Sequence, residues 1–212
     1  MKTALKWTLN NAKLAKTTGE AGAYRVAGFG LPAVQTCPRA GECRKVCYAT
    51  QGSYRFSGVV AARAHNLALA RAPRFAETLK ADMAAIAAKF NVVRIHDSGD
   101  FFSQKYLDAW VAAARAFPGV IFYAYTKSFA HLNFSAAPEN FRVTQSLGGK
   151  DDLKVDLNKP HARIFADDAA RVAAGYLDGN VSDALAIEGA VKIGLVYHGN
   201  RNLTDSQKET FS

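Results

Sequence analysis

The sequence predicts an α/β fold: a mostly parallel sheet with crossover helices, arranged as a partial, open β/α barrel in a single domain, residues 1–212. Three observations lead there. Strand-like apolar stretches alternate with helix-like ones, and a parallel pair needs a long crossover that a helix usually supplies. Several strands stay apolar until their last residues and then turn polar, as in RIH-DSGD, YAY-TKS, VTQS-LGG and VYH-GN, where parallel α/β folds collect their sites. Only about five or six strands can be counted, too few for a closed eight-stranded barrel.

The elements follow in chain order. AYRVAGFGL (23–31) reads as a first strand leading into a cysteine-rich loop, and SGVVAARAHNLALARA as the helix after it. Pro73 opens a second helix, in which Phe75, Leu79, Met83, Ile86 and Phe90 recur at spacings of three and four and make one buried face. NVVRIH is the next strand. Ser103 caps a helix whose stripe is Tyr106, Leu107, Trp110, Val111, Ala114 and Phe117, and Pro118-Gly119 stops it. VIFYAY, FRVTQS, ARIFA and KIGLVYH complete the strand candidates, with DDAARVAAGY a short helix between the last two. The tail from about residue 201 is polar and reads as loose.

With 49% hydrophobic and 21% charged residues, the chain can bury a full core. The start MKTALKWTLNNAKLAK has no continuous apolar region, and no run approaches the roughly 18 apolar residues that could span a bilayer. A soluble cytoplasmic protein with no membrane partner is expected. The net charge of +9 is unevenly placed: residues 1–80 carry 13 Lys+Arg against 3 Asp+Glu, while residues 81–212 carry 14 against 15. The basic part either meets nucleic acid or another polyanion, or is a solvated face.

All three cysteines, Cys37, Cys43 and Cys47, lie within eleven residues of TCPRAGECRKVCYAT (36–50). Structural cysteines behave as small hydrophobes and scatter through a core. An odd number without a secretory signal argues against disulfides and for a metal-binding or reactive cluster. Zinc normally takes four ligands, so Cys37, Cys43 and Cys47 would need a fourth such as His65 or His96. A four-iron cluster held by three thiolates leaves one iron open. Arg39, Arg44, Lys45 and Arg55 flank the thiols and are expected to lower their pKa. Free or redox-active thiols are the remaining alternative.

The strand-end residues His96, Asp97, Ser98, Asp100, Thr126, Lys127, Gln145 and His198 are expected along one edge. Each has a plainer reading. Asp97 and Asp100 can cap the helix near Ser103, Lys127 can end its strand in solvent, and Tyr48, Tyr54, Tyr123 and Tyr125 can be core rather than stacking platforms.

TCPRAGECRKVCYA, the following GSYR, RIHDSGDFFSQKYLDAW, FYAYTKS and IGLVYHG together resemble the gene product 88 domain family of phage and plasmid proteins, over about residues 24–200. The resemblance implies a mobile-element protein acting inside a bacterial cell and names no activity. In layout the chain is also similar to radical S-adenosylmethionine enzymes: three cysteines after a first strand, then a second strand ending in a small-small-acidic turn. That similarity implies a [4Fe-4S] cluster on Cys37, Cys43 and Cys47, with Ser98, Gly99 and Asp100 at the cofactor-binding turn; the strand-end residues His96 and Lys127 are further cofactor-binding candidates in their own right. The spacing here is C-x5-C-x3-C where the superfamily has C-x3-C-x2-C, and Asp100 stands where it has Glu. Two function classes result: an iron–sulfur protein with a redox or S-adenosylmethionine-dependent role, or a zinc- or cluster-stabilised nucleic-acid-binding phage protein that uses residues 1–80.

Overall fold

Alternation of side chains across each strand sets the architecture. Phe29, Val93, Ile95, Phe122 and Ala124 face one side of the sheet, and Val26, Val92, Arg94, Tyr123 and Tyr125 face the other. The computed structural model describes residues 3–17 and 22–197. Its strands are β1 (Trp7–Thr8), β2 (Val26–Phe29), β3 (Val92–Ile95), β4 (Ile121–Thr126), β5 (Phe141–Ser146), β6 (His161–Phe165), β7 (Leu177–Asp178) and β8 (Lys192–Val196). The α-helices are α1 (Ala12–Lys16), α2 (Ser57–Arg71), α3 (Phe75–Ala87), α4 (Gln104–Ala116), α5 (Asp168–Ala173) and α6 (Ala184–Glu188).

The strands form one eight-stranded sheet in the order β1-β2-β3-β4-β5-β6-β8-β7, parallel throughout except for the antiparallel β1–β2 pair. Because β2 to β6 lie side by side in chain order, the sheet winds in one direction and remains open, as expected for a partial barrel. The added strands β1 and β7 have two residues each and form the two edges. Strands this short offer little unpaired backbone to another chain.

Several expectations need adjustment. The connections β4–β5 (127–140) and β5–β6 (147–160) contain no α-helix, only a short 3-10 turn, Asp152–Lys154. Their sequences lack a helical apolar stripe, and the chain covers the crossover as loop. The helix α3 starts at Phe75, two residues after Pro73, with Arg74 at its N-cap. The short helices α1 and α6 carry too few apolar residues to announce themselves, yet they plug the inner face at its lower end. Leu14, Ala186 and Ile187 pack there against Val26, Val92, Tyr123 and Ile193.

On the outer face α2, α3 and α4 close the main core. Ser103 caps α4 through its Oγ, which accepts from Tyr106 N at 3.3 Å. Trp110 is fully buried, with the rings of Trp7, Phe29, Phe75, Tyr106 and Phe122 at centroid distances of 5.1–6.4 Å. Trp110→Ala should therefore lower unfolding free energy by about 3–5 kcal/mol, read from the urea midpoint; a loss below about 1 kcal/mol would show that this cluster is not the core.

Candidate functional site

After β2 the chain enters the cysteine loop under strain. Val34 is held at φ +66°, a region that β-branched residues avoid, and its carbonyl accepts from Cys37 N at 3.3 Å. The far side of the loop is tied to the β5–β6 connection. Cys43 N donates to Gly148 O at 3.3 Å, Lys150 N to Arg39 O at 3.0 Å, and Ala40 bridges Gly149. Arg39 adds a 2.7 Å ion pair to Asp151, which also meets His131 at 2.9 Å and Lys154 at 3.2 Å. Gly41 permits this contact, since a Cβ there would stand 2.9 Å from the Gly149 backbone.

So clamped, Cys37, Cys43 and Cys47 all line one cavity of about 370 Å³ on the inner face of the sheet. His96, Ser98, Gly99, Asp100 and Lys127 line it too. The strand-end expectation thus brings its principal residues together. Thr126 and Asp97 stand behind them as supports, and Gln145 instead pins its own loop by exchanging hydrogen bonds with the Asp156 backbone. His198 and the tail from 201 lie outside the described residues. His65 is elsewhere: its Nε2 is 2.8 Å from Ala4 O and it does not line the cavity, so it is not placed to be a fourth ligand.

For Cys37 and Cys47 the expected shift is reversed. Burial, followed by the charge of Asp100, pushes Cys37 up to about 12, and burial also raises Cys47. Of the flanking cations, Arg39 pairs with Asp151 and Lys45 with Glu42. In the protein alone Cys37 and Cys47 are thiols, and only a strongly bound metal would ionise them. Among the described residues no three His, Cys, Asp or Glu side chains converge closely enough for a single metal ion.

The turn after β3 is built from buried polar groups. Asp100 caps no helix: its carboxylate accepts from Thr126 Oγ1 at 2.6 Å, Phe101 N at 2.7 Å and Lys127 N at 2.9 Å. Ser98 Oγ donates to Leu31 O at 2.7 Å and accepts from Arg63 Nε, while Arg63 also pairs with Asp97 at 3.0 Å. Gly99, at φ +89°, is required twice over, because a Cβ would also meet Thr36 Oγ1 at 2.6 Å. Lys127 Nζ crosses to Ser146 Oγ at 2.7 Å.

His96 is the most unusual of these residues. It sits at φ +69°, its Nε2 is 3.0 Å from the Tyr106 hydroxyl, and its buried Nδ1 has no partner among the described residues. Burial, with Arg94 adding to it, holds the imidazole down at about 3, so it is neutral. Sequence reasoning passed over Arg63, Arg94, Lys13 and Asp183. An arginine inside the apolar strand NVVRIH was a usable signal for Arg94; nothing local marks the others.

Two outcomes follow. An unfolded imidazole takes its proton near pH 6.5 and the folded His96 only near 3, so between those values the unfolded state binds the extra proton. Its stabilising contribution is complete above pH 6.5 and declines as pH falls. His96→Asn, a residue tolerant of positive φ, should flatten the stability-versus-pH slope between pH 6.5 and 4 by up to about 1.4 kcal/mol per pH unit. An unchanged slope in urea titrations would contradict a buried neutral imidazole. The second concerns Asp151, whose carboxyl is held below its ordinary range chiefly by Arg39. That contribution is present above about pH 3.9 and lost as pH falls toward the folded value. Asp151→Asn should free the loop at neutral pH, seen as faster thiol labelling of Cys43; equal labelling rates would exclude the clamp.

Comparison with known proteins places these features in a family. A model described as gene product 88 matches residues 4–205. The chain is 36% identical over 147 residues to the gene 88 protein of Mycobacterium phage D29, covering 58% of this chain and 61% of that protein. It is 35% identical over 147 residues to the gene 88 protein of Mycobacterium phage L5, covering 58% and 62%. The chain therefore spans about three fifths of the length of the curated relatives it matches. No solved structure matches it significantly, and the similarity to radical S-adenosylmethionine enzymes finds no support in these matches. No described helix is long and apolar enough to cross a membrane. On a match running nearly end to end, this chain belongs to the gene product 88 family.

Proposed function

We propose that this phage-type protein carries an iron–sulfur cluster on Cys37, Cys43 and Cys47 and acts inside the host cell. One observation carries the reading: three thiols spread over the loop 37–47 are brought, with no other cysteine in the chain, onto the wall of one cavity at the carboxyl ends of parallel strands. A tetrahedral zinc site needs its ligands about 3.8 Å apart, given Zn–S bonds of about 2.3 Å. The described side chains do not converge so closely. A four-iron cube is held by a wider triangle of thiolates than a single zinc ion. Such a cluster supplies electron transfer, or an iron with an open position for a small ligand.

The chain's own residues then have definable parts. Lys127 stands on the cysteine side of the cavity, where its charge acts on Cys47, and offsets negative charge on a thiolate-held cluster. His96 offers a neutral nitrogen to the same space. For S-adenosylmethionine the fit is poor. Ser98 and Asp100 would have to surrender the hydrogen bonds that hold the turn, so no step is derived through that cofactor.

The deciding experiment is anaerobic purification with iron, sulfide and zinc analysis and an absorption spectrum, on wild type and Cys43→Ala. About four irons and sulfides per chain, with broad absorption near 400 nm that the substitution removes, is the expected result. One zinc without iron would overturn it and favour a metal-stabilised polyanion-binding surface on the basic residues 1–80.

A further inference from the structure

The cavity has a second polar end in which no cysteine takes part. Arg94, on the inner face of β3, has a side chain only 13% exposed; its Nη1 pairs with Asp183 Oδ2 at 2.6 Å. Lys13 of α1 holds the other oxygen of the same carboxylate at 2.9 Å, and the Tyr123 hydroxyl donates to it at 2.8 Å. Two cations therefore share one carboxylate. Asp178 acts on Lys13 only at longer range and is engaged by Asn180. The floor keeps a positive charge. A buried cation lacking an anion is costly, and so is a buried donor without an acceptor.

Besides His96 Nδ1, three polar groups of the lining residues are unmet. Arg94 Nε and the hydroxyls of Tyr125 and Tyr197 are buried without a hydrogen-bond partner among the described residues, and all three residues line the cavity. The same cavity is also lined by the apolar Ala162, Ile164 and Leu195. One guanidinium edge, the two hydroxyls of Tyr125 and Tyr197 and one unit of charge suit a carboxylate, whose two oxygens can accept from three donors. A phosphate dianion would call for more donors, such as the run of backbone N–H groups in a glycine-rich loop.

We infer that this floor binds a small organic anion, its carboxylate on Arg94 Nε and the Tyr125 and Tyr197 hydroxyls and its apolar body against Ala162, Ile164 and Leu195. The site stands apart from the cluster, since none of its residues is a thiol, but a molecule seated there lies in the space that the thiols face.

The test uses the purified protein and two probes of one shape, hydrocinnamate and its neutral amide, by titration calorimetry. The acid should bind about tenfold more tightly than the amide, the worth of one charged hydrogen bond. Arg94→Gln should abolish that preference. Tyr197→Phe guards against misfolding of the arginine variant: it removes a hydroxyl with no hydrogen-bond partner among the described residues, so it should weaken the acid about tenfold while leaving the melting temperature unchanged. Acid and amide binding alike, no binding of either at millimolar concentration, or full acid affinity in Tyr197→Phe would each overturn the proposal. Cys43→Ala separates the two readings, because it should lose any cluster yet keep the acid preference. A preference that stands in a protein without iron leaves the anion site intact and removes only the cluster.

Discussion

Four of the five residues from His96 to Asp100 are polar, and those four are at most 4% exposed. Taking two carboxylates, a hydroxyl and an imidazole out of water costs several kcal/mol each for the charged groups unless their atoms are occupied. The turn can therefore exist only together with its partners. Those partners come from everywhere the site needs support: Arg63 from α2, Thr126 and the Lys127 backbone from the end of β4, Leu31 from the start of the cysteine loop, Tyr106 from α4, and Tyr48 from the segment after Cys47. Satisfying one turn fixes the relative positions of two strand ends, two helices and both ends of the loop that carries the thiols.

Close approach at glycine lets this happen. Asp97 can lie against the end of β2 because residue 30 has no side chain; a Cβ there would stand 2.1 Å from Asp97 Oδ1. On the opposite side Gly41 and Gly149 bring the cysteine loop against the β5–β6 connection. The loop is thus gripped from within by the β3 turn and from without by Asp151. This leaves its cysteines at the boundary between a buried polar turn and an open cavity. Burial opposes thiolate formation at Cys37 and Cys47, so the protein alone does not present a ready-made anionic triad, and metal binding would have to supply the energy of ionising those two.

Much of the fold was legible. The apolar periodicities of α3 and α4 and the runs of β2 to β6 and β8 depend on which residues must leave water, and that is written locally. The clustering of cysteines and the polar strand ends were legible for the same reason: parallel strands in one sheet put their carboxyl ends on one side whatever the loops do. The stubs β1 and β7 and the plugs α1 and α6 were not, because two to five residues carry no usable period. Their positions follow from what covers the sheet edges and the lower inner face.

Charge was where local reading misled. Arg39 and Lys45 sit beside thiols in sequence but pair with Asp151 and Glu42 in space, and His65 points to the backbone of residue 4. Conversely Lys13, Arg94 and Asp183 meet across 170 positions of chain. By itself the sequence determined the open parallel α/β architecture, the single thiol-bearing loop and the strand edge at which it would be found, since these rest on hydrophobic pattern and chain direction. Only the tertiary structure decided which polar groups are paired, which are left facing the cavity and whether the thiols are ionised. Those outcomes depend on burial and on partners distant in the chain, and electrostatic energies inside a protein are set by distance in space.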